Sequence, residues 1–269
     1  MKNLFFLNYI EALGAAVLGC LTYIGGIILL LLDSVKWIIR GILQFNLRIR
    51  LFIEQAAVLG VNSFSIVTIT TCFTGAVISL QLAEMAVRYG AGRFVGGGVA
   101  ISMARELAPM LTAIVVAGRA GSAITAEIGS MRVTEQIDAL KAMATSPVKY
   151  LVVPRLLACS ALLPMLCLFS MFAGVLGGAV VAHFIAGVRF DAYFDSIRNM
   201  MAMKDIYKGL FKSFIFAIEI AMISCYQGLN TEGGAAGVGK ATTGSVVYSM
   251  LTVFITNFML TALMFPIGQ

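Results

Sequence analysis

Arg105 and Glu106 stand side by side in the stretch 94–128, which is apolar apart from these two residues, Arg119 and Glu127. An ionisable side chain within an apolar stretch long enough to cross a bilayer costs a few kcal/mol, roughly 2.5–3.5 on insertion scales, so it faces a partner, a cavity or a substrate path. Sequence neighbours project about 100° apart on a helix, so Arg105 and Glu106 cannot form one simple surface ion pair and at least one needs another partner. The alternative to a substrate-facing role for them is an interhelical charge network that fixes the fold. Arg119 and Glu127 are eight positions apart, close to one helix face, and are flanked by Gly118, Gly121 and Gly129, where small residues let helices approach. We read this second pair as a structural charge network bracing the cytoplasmic end of its helix against the short cytoplasmic helix that follows, without contacting substrate. Glu219 is a lone acid in another apolar run, either a buried partner for an arginine or a cavity residue.

Covalent chemistry has little to draw on. The chain contains one histidine, His183, and no Ser/His/Asp or Cys/His arrangement is evident. Cys20, Cys72, Cys159, Cys167 and Cys225 all lie in apolar stretches without a CxxC pair, so they read as packing residues and no metal site is expected. His183 and the methionines read as interfacial and packing residues. The string 234–240, GAAGVGK, fits G-x-x-x-x-G-K, but the next residue is Ala241 where a phosphate loop needs Ser or Thr for magnesium, and its flanks are apolar runs. It is expected to be a decoy, with no cofactor bound by this chain.

The elements that must position these residues are helices in a membrane. The 269 residues are 60% hydrophobic and 12% charged, against about a quarter charged in ordinary soluble domains. A span needs about 20 mostly apolar residues with every backbone group bonded internally. Segments 12–32, 56–83, 94–128, 156–188, 213–231 and 241–269 qualify. The net charge of +6 resides in short clusters between these runs, with no continuous basic face carrying interleaved aromatics, so nucleic acid is not an expected partner. The clusters Lys36, Arg40, Arg48, Arg50 and Arg132, Lys141, Lys149, Arg155 mark the cytoplasmic side, which places 189–208 outside. The first run ends at Asp33 and Lys36 without a small-residue cleavage site, so it is expected to be retained rather than removed as a signal peptide. Its length favours a span, while Gly14, Gly19, Gly25 and Gly26 also suit a helix lying in the interface.

Between 133 and 143, Glu135, Asp138 and Lys141 recur every three residues while Ile137, Leu140 and Ala144 keep to another face, giving a short amphipathic cytoplasmic helix stopped near Pro147. Such a helix suits docking into a groove on a motor protein, and it equally suits a solvated connector lying on the membrane.

The segment RELAPMLTAIVVAGRAGSAITAEIGSMRVTEQIDAL, followed by SPVKYLVVPR, closely resembles the MlaE/YrbE permease family of lipid-moving ABC transporters. The likeness extends upstream through FTGAVISLQ at 73–81 and downstream through GVGKATTGSVV at 237–247 to LTALMF, covering 54–265 in one register. The resemblance implies an all-α integral membrane protein forming a single permease domain over 1–269. Residues 1–50 would hold a membrane-embedded elbow helix, and 51–269 a core of five transmembrane helices with a cytoplasmic coupling helix. It implies a homodimer in a bacterial inner membrane, a cytoplasmic ABC ATPase that holds ATP and magnesium, a periplasmic MCE-type lipid-binding protein and phospholipid as cargo. By the same resemblance, Arg105 and Glu106 lie near a lipid cavity with Tyr89 at the outer end of the helical hairpin, Arg105 attracting a phosphate head group and Glu106 balancing it. Glu135, Gln136, Asp138 and Leu140 fall on the coupling helix that receives the ATPase stroke. A rival reading is an ion-coupled secondary transporter using Glu106, Glu127 or Glu219 as a proton relay. It predicts matching repeats with broken helices, and none are evident. A membrane scaffold that only anchors partners is a third reading, disfavoured by charges at span depth.

Overall fold

The computed structural model describes residues 2–43 and 49–265. Among these the chain is helical with no strand, as expected where lipid offers backbone groups no partner. Six segments are long and apolar enough to cross a membrane: Val17–Gly41, Ser63–Ala86, Gly92–Val133, Val148–Phe184, Met203–Leu229 and Gly234–Met264. The first lies within α1 (Lys2–Leu43), the second within α2 (Ile49–Arg88). The third is interrupted: α3 (Val95–Ser102), α4 (Ala108–Val116) and α5 (Ser122–Val133) are joined by π-helical turns at Met103–Leu107 and Ala117–Gly121. The short helix α6 (Gln136–Ala142) follows, then a third π turn, Val148–Val152, leading into α7 (Val153–Phe184). The chain continues through α8 (Phe190–Met200), α9 (Met203–Leu229) and α10 (Gly234–Met264).

α2 and α7 pack along much of their length, and two glycines permit it. A Cβ on Gly75 would fall onto the Gly174 carbonyl, and one on Gly177 onto the Cys72 carbonyl, so any side chain there would force the helices apart. The interior divides into two apolar clusters. One, around Ile124, Ile128, Leu156, Phe216 and Ile220, takes in Ile137 from α6; the other, around Val99, Met103, Cys167 and Met171, takes in Tyr193 from α8. α10 buries only one narrow stripe, Ser245, Ser249 and Val253, and leaves Leu251, Phe254, Ile255 and Phe258 exposed on its other faces.

Two boundaries differ from the sequence expectation. Residues 189–208 are not a loop but α8 and the first turns of α9, so the fifth apolar segment begins at Met203 rather than near 213. Charge marked a false boundary: Asp205 accepts the Ala202 N–H at 3.0 Å and caps the helix, while Lys212 is wholly buried and neutralised within the protein. The short amphipathic helix covers 136–142 rather than 133–143, because the chain breaks at Glu135 and again at Ala144, which take positive φ values of 60° and 54°.

Candidate functional site

The π turn Met103–Leu107 places Arg105 and Glu106. Its wider ring shifts helical register and loosens main-chain carbonyls from their usual amide partners. One of these, the Arg105 carbonyl, accepts a hydrogen bond from Lys212 Nζ at 3.0 Å. Pro109 follows at the start of α4, where a missing amide costs least. The two charged neighbours diverge to separate partners, as their angular separation requires. Arg105 donates through Nε to Asp205 Oδ1 at 3.0 Å, with Nη2 at 2.9 Å from the same oxygen, and its guanidinium lies 4.6 Å from the Phe265 ring centroid. Glu106 accepts from Lys212 at 2.8 Å, from Thr261 at 3.0 Å and from Asn257 Nδ2 at 3.1 Å. Lys212 also donates to Thr261 Oγ1 at 2.7 Å.

Two acids and two bases from α9 and the π turn are thus joined with the polar end of α10, which satisfies charges that lipid could not solvate. The network is partly open. Arg105 and Glu106 side chains are each 34% exposed, whereas Asp205 and Lys212 are buried. Charged groups with one side open and the other side clamped present fixed charge to a ligand.

At the other end of the third segment, Arg132 on α5 donates to both carboxylate oxygens of Asp138 on α6, at 3.0 and 2.9 Å, and Lys141 donates to Asp138 at 3.0 Å. The Lys141 hydrogen bond, followed by the positive charge of Arg132, holds the Asp138 carboxyl below its ordinary pKa. Ile137 is buried in the core and Leu140 packs against it, while Glu135 and Gln136 are exposed. The helix is therefore pinned to the core by one face and presents acids and amides on another.

Glu127 pairs with Arg155 of α7 at 2.8 Å, and Arg155 also donates to the Leu151 carbonyl in the third π turn at 2.7 Å. Arg119 lies in the second π turn, whose carbonyls at Gly118 and Gly121 accept from Ser122 and Thr125. The link from α5 to α6 is thus made by Arg132 and Asp138, while Glu127 ties α5 to α7. Tyr89 is 83% exposed in the turn after α2. Glu219 Oε2 is buried with no hydrogen-bond partner, and Thr256 of α10 offers the carboxyl its hydrogen bond.

Lys212, Asp205 and Asn257 were not singled out from the sequence, and Arg155 stood there only as a marker of the cytoplasmic side. A signal was present: Lys204, Lys208 and Lys212 recur at four-residue spacing, placing Lys212 on one helix face with the other two, and Asn257 and Thr261 share that spacing on the apolar tail.

Six long apolar helices with ion pairs formed between them define a multi-span helical membrane protein. The family model described as permease MlaE matches residues 52–263, and the chain belongs to that family. It is 46% identical to a probable ABC transporter permease protein of Synechocystis, over 83% of this chain and 85% of that protein. It is 40% identical to a probable ABC transporter permease protein of Rickettsia prowazekii, over 85% and 88% of the two chains. A chloroplastic Arabidopsis thaliana protein named trigalactosyldiacylglycerol 1 is 36% identical over 85% of this chain and 65% of its own length.

Proposed function

We propose that this chain is the permease subunit of an ATP-driven lipid transporter in a bacterial cytoplasmic membrane, acting as a homodimer that moves phospholipid to or from a periplasmic MCE-type carrier. Partner ATPase subunits hold ATP and magnesium, and this chain supplies the lipid path. The observation that carries the reading is the half-open network of Arg105, Glu106 and Lys212 at membrane depth. A guanidinium fixed by Asp205 but one-third exposed offers charge-assisted hydrogen bonds to a head-group phosphate, while Glu106 keeps the site balanced. The name of the Arabidopsis relative, which is that of a lipid, supports a lipid cargo. Tyr89 borders the outer end of the hairpin.

Helix α6 with the preceding Glu135, exposing Glu135, Gln136 and Asp138 and rooted by Ile137 and Leu140, is the part that receives the ATPase stroke. Its ion pair with Arg132 carries displacement into α5 and through it toward the network. The N-terminal helix is read as an elbow. Tyr23 accepts a hydrogen bond from Gln227 near the cytoplasmic end of α9, and Trp37, about 21 Å further along α1, lies under Lys149 at the cytoplasmic start of the fourth segment. A helix whose two points lie at the same membrane face runs along that face.

The test is phospholipid-stimulated ATPase activity of this chain co-purified with its ATPase. Glu135→Lys with Asp138→Lys should uncouple hydrolysis, and Arg105→Gln with Glu106→Gln should remove the response to lipid while basal hydrolysis persists. If no ATPase co-purifies and neither pair matters, the reading fails.

A further inference from the structure

The string GAAGVGK, which mimics a phosphate loop, is the loop-to-helix start of α10, and its lysine lines a cleft of about 320 Å³. The other walls include Gln227 from the end of α9, Thr231 and Glu232 from the connecting turn, and Gly244 and Tyr248 from α10. Lys240, Gly244 and Tyr248 recur at four-residue spacing and so share one face of the helix, with the glycine leaving a trough between the cation and the ring. The two glycines at 237 and 244 differ in kind. A Cβ on Gly237 would strike the Glu232 carbonyl, so the turn requires glycine, whereas a Cβ on Gly244 would meet nothing nearer than 3.6 Å. Packing does not demand glycine at 244; an open cleft does.

Lys240 and Glu232 are exposed, and neither forms an ion pair among the described residues. The cleft therefore presents an unneutralised cation and an unneutralised anion at its cytoplasmic mouth. Beside them the wall carries the Thr231 hydroxyl, which donates to the Gln227 carbonyl at 2.9 Å, and the Gln227 amide, which donates to Tyr23 at 3.1 Å, and an aromatic ring follows about 12 Å from Lys240 along α10. That order of charge, hydrogen-bonding group and apolar wall follows a glycerophospholipid from head group through ester region to chain. We propose that this cleft binds a zwitterionic glycerophospholipid of the cytoplasmic leaflet, with Lys240 on its phosphate and Glu232 on its ammonium group. The site lies about 31 Å along α10 from Thr261, at the opposite end from the Arg105 network, so it is a second lipid site and not part of the first. Tyr23 of α1 packs against Tyr248, with ring centroids 5.2 Å apart, so an occupant also bears on the N-terminal helix.

The experiment labels the full chain, reconstituted in phospholipid vesicles, with a photoreactive phosphatidylethanolamine and maps the modified peptides. Labelling is expected within 227–248. Lys240→Gln should reduce it about five-fold, the worth of one basic residue at a lipid surface. Gly244→Met should fill the cleft and abolish it, Glu232→Gln should erase the preference over a photoreactive phosphatidylglycerol, and Arg105→Gln should leave it unchanged. Unchanged labelling in Lys240→Gln, whose side chain is exposed and supports no packing, overturns the proposal even if Gly244→Met fails to fold. Displacement of the probe by excess inorganic phosphate would also overturn it, since the cleft would then be a free-anion site. Loss of lipid-stimulated ATPase in Arg105→Gln with labelling intact would separate this site from the proposed transport path.

Discussion

Lys212 offers the sharpest test of the membrane-depth network. Replacing it with Met keeps the length and apolar stem but removes the ammonium group that sits 2.8 Å from Glu106 and 3.0 Å from the Arg105 carbonyl. Breaking a buried pair from one side costs about 3–5 kcal/mol, because the remaining charge is left uncompensated. Here the remaining carboxylate is 34% exposed and keeps Asn257 and Thr261, so the expected loss is lower, about 2–3 kcal/mol. At roughly 2–4 °C per kcal/mol for a chain of this size, that lowers the melting temperature in detergent by about 4–12 °C. Glu106→Leu alone strands the buried lysine and should cost at least as much. The double variant, Lys212→Met with Glu106→Leu, removes both charges and should be more stable than the sum of the singles by about 2 kcal/mol. Thermal melts of the three variants and the parent complete the cycle. Additivity within about 0.5 kcal/mol would refute the view that the two charges stabilise each other.

Three further outcomes follow from separate parts of the molecule. Glu135 holds a left-handed backbone, so Glu135→Gly should raise stability by up to about 1 kcal/mol in thermal melts, while Glu135→Lys should leave the melt unchanged and weaken ATPase co-purification. The Asp138 carboxyl titrates below its ordinary value, so its clamp on Arg132 is present above the unfolded carboxyl pKa and is lost only as pH falls through the lower folded value. Protection factors of the amides in 136–142 should therefore stay constant near neutral pH and fall below about pH 4, and Asp138→Asn should show the lower protection already at neutral pH. Gly75→Val should separate α2 from α7 and abolish a folded, monodisperse chain in size-exclusion chromatography, whereas the same change at Gly14, which faces open space, should not.

What the sequence made legible was local. Each apolar run is its own evidence, since crossing the hydrocarbon is a property of about 20 consecutive residues, and all six appear as helices. The alternation of Ile137 and Leu140 with Asp138 and Lys141 likewise marked α6 and its buried face. What was hidden is non-local. The partner of Arg105 lies 100 positions away and that of Glu106 at 106, and no spacing rule spans such separations. Lys212 was hidden because an unpaired lysine ends an apolar run, and nothing in its neighbours announces that Glu106 neutralises it. The same holds for Glu127: its position on the helix was evident, but Arg155 reaches it only because α5 and α7 are brought side by side.

The π turns join these observations into one arrangement. Each interrupts a helix at membrane depth or at its edge, where a loosened carbonyl cannot turn to water, and each has a side-chain donor on such a carbonyl: Lys212 on Arg105, Ser122 on Gly118 and Thr125 on Gly121, and Arg155 on Leu151. At two of the three, the donor is a buried cation whose charge is matched by an acid on the third segment, Glu106 for Lys212 and Glu127 for Arg155. A cation serves both needs at once, completing the backbone and pairing with the acid, which explains why Lys212 and Arg155 lie in spans where their charge alone would be prohibitive. The consequence is mechanical. The third segment is broken into three pieces: ion pairs to α9 hold the first joint, the hydroxyls of Ser122 and Thr125 bond the carbonyls of the second, Glu127 ties the last piece, α5, to α7, and α5 carries α6 through Arg132 and Asp138. The ATPase stroke proposed for α6 would therefore reach a jointed rod rather than a single helix, and the joint furthest from α6 is the one that holds Arg105 and Glu106.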